Sequence, residues 1–317
     1  EYTTMEVGLS SLSARGRFAF VIDTLSNTVI IDDVMVEEAE DCPNVYNVTA
    51  TRLSTSSVAI NFDTTNTNGS GWVIAYGQAP SQEEFDPIST PSSQQIAITS
   101  SSQLPYVIDG LSAGTYYVAV QLDYDSAFSD PAAVFFPVVN ALPYSQNFNT
   151  TTVSEWDLSN HSGNNVWYID SSMYISNNGG DSNTYDFNSQ SKSYAVTYVS
   201  FPAAASFTIT YDWKAMGQIG GYGSVYDYGK VYLIPDTMAI PSANINNVYA
   251  ISENLIQQNT WLTDTINLDA TYANRVWKLI FMWQNNASQG TNPALAVDNI
   301  SIVANNCGQV VDLNVEY

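Results

Sequence analysis

The sequence predicts an all-β protein made of β-sandwiches in tandem. Three observations lead there. Helical periodicity is nearly absent. Period-2 alternation of Val, Ile, Thr and Tyr dominates instead, broken by Asn, Gly, Ser and Pro. A seam also occurs twice, once near each end. Val297-Asp298-Asn299-Ile300 falls on Ile31-Asp32-Asp33-Val34, and Cys42 follows Asp32 as Cys307 follows Asp298. A repeat of this kind fixes the unit of architecture before any detail is read.

The first full unit spans 42–139. "SVAINFDTT" alternates Val58, Ile60 and Phe62, and "GWVIAYG" follows a "NTNGSG" turn. "TYYVAVQL" and "AAVFFPV" alternate again. Strands at this spacing read as an antiparallel sandwich. The stretch "DGLSAGTYYVAV", Asp109 to Val120, resembles the fibronectin type III signature of Leu, Gly turn and Tyr. The resemblance implies that Tyr116 or Tyr117 is a corner tyrosine whose hydroxyl bonds back to the preceding loop. It also implies that Trp72 or Phe62 fills the core aromatic position. Asp123-Tyr124-Asp125 offers no cysteine where such domains often pair one, so Cys42 is expected as a free, buried thiol.

The second unit spans 140–306. Its motifs are Phe148, Gly163-Asn164-Asn165-Val166-Trp167, Tyr211-Asp212-Trp213-Lys214, Tyr228 to Pro235 and Ala296 to Ile302. In that order they resemble the cleaved-adhesin, MAM-like jelly rolls of secreted multi-domain proteins of Bacteroidota, including gingipain haemagglutinin regions. "RFAFVIDTLSNTVIIDDVMV", Arg17 to Val36, parallels the strands from Trp277 to Ile302. Residues 1–41 are therefore expected to be the last strands of a preceding jelly roll. Residues 307–317 are expected to open a following fibronectin type III domain, and the chain to be cut from a longer array.

Composition narrows the function. Apolar residues make up 45% and charged residues only 12%, so Ser, Thr and Asn carry the surface. Eight Lys and Arg stand against 31 Asp and Glu, a net charge of −23. Such a chain repels phosphate backbones and anionic membrane surfaces, and its natural ionic partners are divalent cations. No apolar run reaches the ~18 residues of a membrane span. Glu1-Tyr2-Thr3-Thr4 lacks the features of a signal peptide. Two cysteines make no disulfide scaffold, and no Cys/His metal spacing is present.

Catalytic chemistry finds little support. The sole histidine, His161, lies in the polar stretch "LSNHSGNN", and no nucleophile elbow, P-loop or zinc-protease helix motif occurs. The chain is expected not to be an enzyme. The jelly-roll resemblance implies a structural Ca²⁺ between the first and last strands, at Asn147, Asn149 and Asp298. Two of these positions are amides where the family often has acids, and calcium takes six to eight oxygens. Asp298 could equally cap a turn. A second oxygen-rich stretch, "SNNGGDSN", reads as a surface turn on Gly179-Gly180. "YGSVYDYG" places Tyr222, Tyr226 and Tyr228 beside an Asp and glycines, the flat faces and hydrogen bonds that sugar recognition uses. Most of the 21 tyrosines nevertheless belong in strands and core. Asp-Ser/Thr followed by an apolar residue or Thr resembles the Bacteroidota O-glycosylation motif. It gives the acceptors Thr24, Thr64, Ser126, Thr237 and Thr265. The expectation is an extracellular adhesin or stalk module that contacts other domains of its parent chain and glycans or proteins at a surface. Two alternatives stand: a carbohydrate-binding accessory region of a secreted protease or glycoside hydrolase, and a repeat subunit of an extracellular filament.

Overall fold

The computed structural model describes residues 45–63, 71–89, 93–123, 128–150, 153–241 and 244–306. The expected strands at 1–41 and 307–317, both cysteines, and Thr24, Thr64 and Ser126 lie outside these residues. The chain divides into two compact units that meet in sequence at Phe135–Phe136. Both are β-sandwiches, as the alternation predicts.

The first unit carries β1 (Thr49–Arg52), β2 (Val58–Asn61), β3 (Trp72–Gln78), β4 (Gln94–Ile98), β5 (Tyr106–Ile108), β6 (Gly114–Leu122) and β7 (Ala132–Phe136). They form one sheet in the order β1-β2-β5 and another in the order β4-β3-β6-β7, every pairing antiparallel where given. Three strands in one sheet and four in the other make the two-sheet sandwich expected for this unit. Val58, Ile60, Ile74, Ile98, Val118, Val120 and Leu122 are buried, as their alternating positions require. Phe62 takes the core aromatic position and leans on the half-buried Trp72 at 5.8 Å. Tyr116 is the corner tyrosine: its hydroxyl accepts from Ser112 N at 3.3 Å and lies 3.0 Å from Ser112 Oγ. Tyr117, one residue on, faces the other way and stacks on Phe85 at 5.9 Å.

The second unit is a jelly-roll sandwich. Its strands are β8 (Val139–Ala141), β9 (Tyr144–Gln146), β10 (His161–Ser162), β11 (Val166–Ile169), β12 (Met173–Ser176), β13 (Ser191–Phe201), β14 (Ser206–Ala215), β15 (Gln218–Ile219), β16 (Val225–Pro235), β17 (Gln258–Asp269), β18 (Arg275–Asn285) and β19 (Ala296–Asn305). The front sheet runs β10-β13-β18-β16-β15, with β8 on β13. The back sheet runs β11-β12-β19-β14-β17, with β9 on β19. Val139 pairs with Tyr198, so β8 belongs to the front sheet of the second unit.

Strand β14 alternates buried and half-buried residues along its whole length, because its outer face meets solvent. Strand β18 shows no alternation: Trp277 to Trp283 are all buried. Its inner residues Leu279, Phe281 and Trp283 join the main core with Phe207, Ile209, Tyr211 and Ile302 of the back sheet. Its outer residues Ile280 and Met282 join a second cluster with Tyr194, Val196, Tyr232 and Ile234, roofed by Ile245 and by Met238, Ile240 and Tyr249. A strand covered on both faces reads as one continuous apolar run. Among the described residues no helix is long and apolar enough to cross a membrane.

Candidate functional site

The roof over the front sheet is partial, and it leaves a groove of about 380 Å³. Side chains of one register row share a face, so the sheet face beneath the groove follows from the pairing. Lys192, Gln284 and Tyr228 form one row across β13, β18 and β16. Tyr194, Met282 and Lys230 form the next, and Val196, Ile280 and Tyr232 the third. The wall is Asn244 to Asn247. Asn246 holds this wall by accepting from Val248 N at 3.0 Å, which caps the turn Asn247–Tyr249. Lys192 Nζ donates to Asn244 Oδ1, and Lys230 Nζ reaches Asn247 Oδ1 at 3.4 Å.

Burial tunes these groups. It pushes the phenols of Tyr194 and Tyr232 up to about 12 and that of Tyr228 upward, so all three remain neutral donors at physiological pH. It lowers the Lys192 ammonium from its ordinary value. The site combines aromatic faces, four amides and an ammonium in an open concavity. It can hold a polar, ring-shaped ligand by apolar contact and directed hydrogen bonds.

Of the expected ligand residues, the structure brings only Tyr228 into this groove. Tyr226 stands two residues before Tyr228 at the start of β16, exposed, with Gly220 so close that a Cβ there would lie 2.3 Å from its ring. Tyr222 is fully exposed at a turn with φ 61°. Reasoning from one local stretch missed Lys192, Tyr194, Tyr232, Met282 and Gln284. The signal was the two-residue spacing Lys192/Tyr194 and Tyr228/Lys230/Tyr232 against the inward Val231 and Leu233.

The expected calcium residues sit where the first and last strands meet. Gln146 pairs with Ile300, which places Asn147 just beyond the end of β9 and Asp298 two residues before Ile300 on β19. Asn147 Oδ1 accepts from Asn149 N at 3.3 Å. Asp298 Oδ1 accepts from Asn299 N at 2.7 Å, within β19. Burial and the facing Asp212 raise the Asp298 carboxyl. Asp212 in turn accepts from Asn299 Nδ2 at 2.8 Å and from Thr263 Oγ1. One half-buried carboxylate and two amide oxygens fall short of calcium's oxygen count, and backbone carbonyls or water would have to complete it. Among the described residues no three His, Cys, Asp or Glu side chains converge. His161 is exposed at the edge strand β10. Thr237 and Thr265 are both exposed, Thr237 in a turn and Thr265 on the outer edge strand β17.

Among the described residues Asp227 is the one fully buried carboxyl, on the inner face of β16. It accepts from Tyr185 Oη at 2.8 Å and from Asn286 N at 2.9 Å. Burial raises its pKa, against the pull of those two bonds. A carboxyl raised in the folded state stabilises the fold below its unfolded pKa of about 4, and that stability is lost as pH rises through the folded value. The Asp227→Asn variant has no such loss. Its melting temperature relative to the parent is therefore expected to be higher at about pH 7.5 than at about pH 4. Equal differences at the two pH values would show that Asp227 does not titrate between them.

No protein-family profile matches the sequence, and no curated protein sequence matches it. Solved structures of the sandwich class do. A structure described as addressing the promiscuous specificity of carbohydrate-binding modules of the β-sandwich superfamily aligns at TM-score 0.31 and 12% identity, over 84% of this chain and 100% of its own. The K3 cleaved adhesin domain of Lys-gingipain from Porphyromonas gingivalis aligns at 0.29 and 19%, over 50% and 96%. The fn3 domain of human contactin 1 aligns at 0.24 and 19%, over 33% and 87%. At these identities and scores no ligand or activity passes from them to this chain.

Proposed function

We propose that this chain is a non-enzymatic binding module of an extracellular protein and that the front-sheet groove of its second unit takes a glycan. One observation carries the reading: Tyr194, Tyr228 and Tyr232 lie in an open concavity beside Asn244, Asn246, Asn247 and Gln284. Sugars present flat C–H faces and many hydroxyls, and a site of rings and side-chain amides meets both. The extracellular setting and the adhesin or accessory-module context rest on the family resemblance of the two units. A glycan array with the full chain tests the reading, followed by titration of any hit. The Tyr228→Ala variant is expected to bind about 5–30-fold more weakly, the loss of about 1–2 kcal/mol of ring contact. A blank array, or binding indifferent to Tyr228, overturns it.

Calcium at Asn147, Asn149 and Asp298 is a separate proposal. Binding to the folded state alone raises stability by roughly 2.7 kcal/mol at a hundredfold excess over Kd. Melting in calcium chloride against a chelator is expected to show a rise that Asp298→Asn abolishes. Identical curves remove calcium from the reading.

A further inference from the structure

We infer that the groove is built for an acidic glycan, one whose carboxylate or sulfate is met by Lys192. The inference rests on the glycan reading above and narrows it to a substrate class. Its starting point is where the cations are. The chain has four lysines, at 192, 214, 230 and 278, in a background of net charge −23. Three of the four stand on one face of one sheet. Lys192 lines the groove and Lys230 stands on the adjacent row of the same face, on the two strands that flank β18. Across the sheet they are two strand spacings apart, about 10 Å. Lys278 sits further along the same face, where its Nζ donates to Met238 O near the Tyr198 ring.

The strands around Lys192 and Lys230 offer these two lysines almost no counter-charge. Strands β13 and β18 contain no acidic residue. Strand β16 contains one, Asp227, and it points into the core. Asp157 joins the sheet edge opposite Val196, but its oxygens accept from Ser159 and Asn160. The wall residues that Lys192 and Lys230 do reach are the amide oxygens of Asn244 and Asn247. In a chain with almost four acids for each base, a lysine placed by chance would be expected to stand near a carboxylate. These two instead meet neutral acceptors.

Partial burial makes that arrangement costly. An ammonium withdrawn from water is poorly compensated by an amide oxygen and well compensated by an anion. The lowered pKa of Lys192 reports the same imbalance. An anionic group on the ligand would restore it at the end of the groove where Lys192, Gln284 and Tyr228 form a row. Tyr194 and Tyr228 would then lie under the sugar ring and Lys230 near the following residue of the saccharide. The long-range field of the chain opposes anions. Selectivity must therefore come from this local contact and not from steering.

The test is calorimetric titration of the full chain with three matched sets of oligosaccharides: neutral, uronate-containing and sulfated. At least one acidic set is expected to bind about tenfold or more tightly than the neutral set, the scale of a charge-assisted hydrogen bond. The set that does so tells carboxylate from sulfate. The Lys192→Gln variant is expected to bring the ratio of acidic to neutral affinity close to one. Lys214→Gln removes the same charge from the other sheet and is expected to leave the ratio intact. Neutral sugars bound as well as or better than acidic ones, or a ratio that falls equally in both variants, overturns the inference while leaving glycan binding standing. Absence of binding to all three sets overturns both.

Discussion

Replacing Trp283 with alanine is expected to destabilise the second unit by about 3–5 kcal/mol and to lower its melting midpoint by roughly 10 °C. Trp283 is fully buried on the central strand of the front sheet. Its register neighbours on the same face are Ser193 and Gly229, so the row across β13, β18 and β16 runs small, large, small. The indole fills the space that those two residues leave. Gly229 leaves no side chain of its own there, and a Cβ would stand 2.6 Å from Leu295 Cδ2, which would have to shift. The ring meets Tyr185 edge-on at 5.0 Å, and Tyr185 meets Phe187 in the same way. Truncation therefore opens a cavity whose walls are held by strands on both sides, the case in which collapse is least able to help. The Trp283 Nε1 has no partner among the described residues. Trp283→Phe thus gives up volume without giving up a hydrogen bond, and is expected to cost well under half as much. Denaturant unfolding followed by tryptophan fluorescence reads this unit, which holds six of the seven tryptophans. A cost under about 1 kcal/mol for the alanine variant would mean that the packing described does not hold.

How much of this the sequence shows depends on the distance over which a feature is written. Alternation is local, so β14 and the inward Val58, Ile60 and Phe62 can be read directly. The corner tyrosine is local as well, and only the choice between Tyr116 and Tyr117 needed the fold. The motif Gly163 to Trp167 was legible as a motif and not as a mechanism. Gly163 is needed because its φ is 82° and a Cβ would stand 2.7 Å from Gln190 O. Trp167 is core. The groove is the opposite case. Lys192, Tyr228 and Gln284 come from three strands far apart in sequence, and only the register of β13, β18 and β16 makes them one row. The run "KLIFMW" concealed it further, because a strand buried on both faces carries no period that says which residues face outward. Of the tyrosines that looked clustered in sequence, Tyr222 lies in the turn before β16, and Tyr226 and Tyr228 stand two residues apart at the start of that strand, where only Tyr228 lines the groove.

Asn165 makes the second large effect. It is fully buried and closes a polar knot in the middle of that motif. Its Oδ1 accepts from Asp186 N at 2.7 Å. Its Nδ2 donates toward Ser191 Oγ and Asn285 Oδ1, both at 2.9 Å, and Asp186 O at 3.2 Å. Asn285 Nδ2 continues the knot to Ser189 O at 2.8 Å and Asn286 O at 2.7 Å. One side chain thus ties the segment 186–191 to the end of β18. Asn165→Leu keeps the volume and removes every bond. Each partner left buried and unpaired costs about 1–3 kcal/mol, so the variant is expected to lose about 3 kcal/mol or more. Asn165→Asp keeps the acceptor for Asp186 N but turns an oxygen toward Asn285 Oδ1 and Asp186 O. It is expected to be at least as damaging at neutral pH and to recover in part in acid, where the carboxyl can donate. A double-mutant cycle with Asn285→Ala separates a knot from a set of independent bonds. Members of one network couple by about 0.5–3 kcal/mol, because the second deletion removes partners the first had already orphaned. Additive costs, or a loss under about 1 kcal/mol for Asn165→Leu, would mean that solvent and not Asn165 satisfies the segment 186–191.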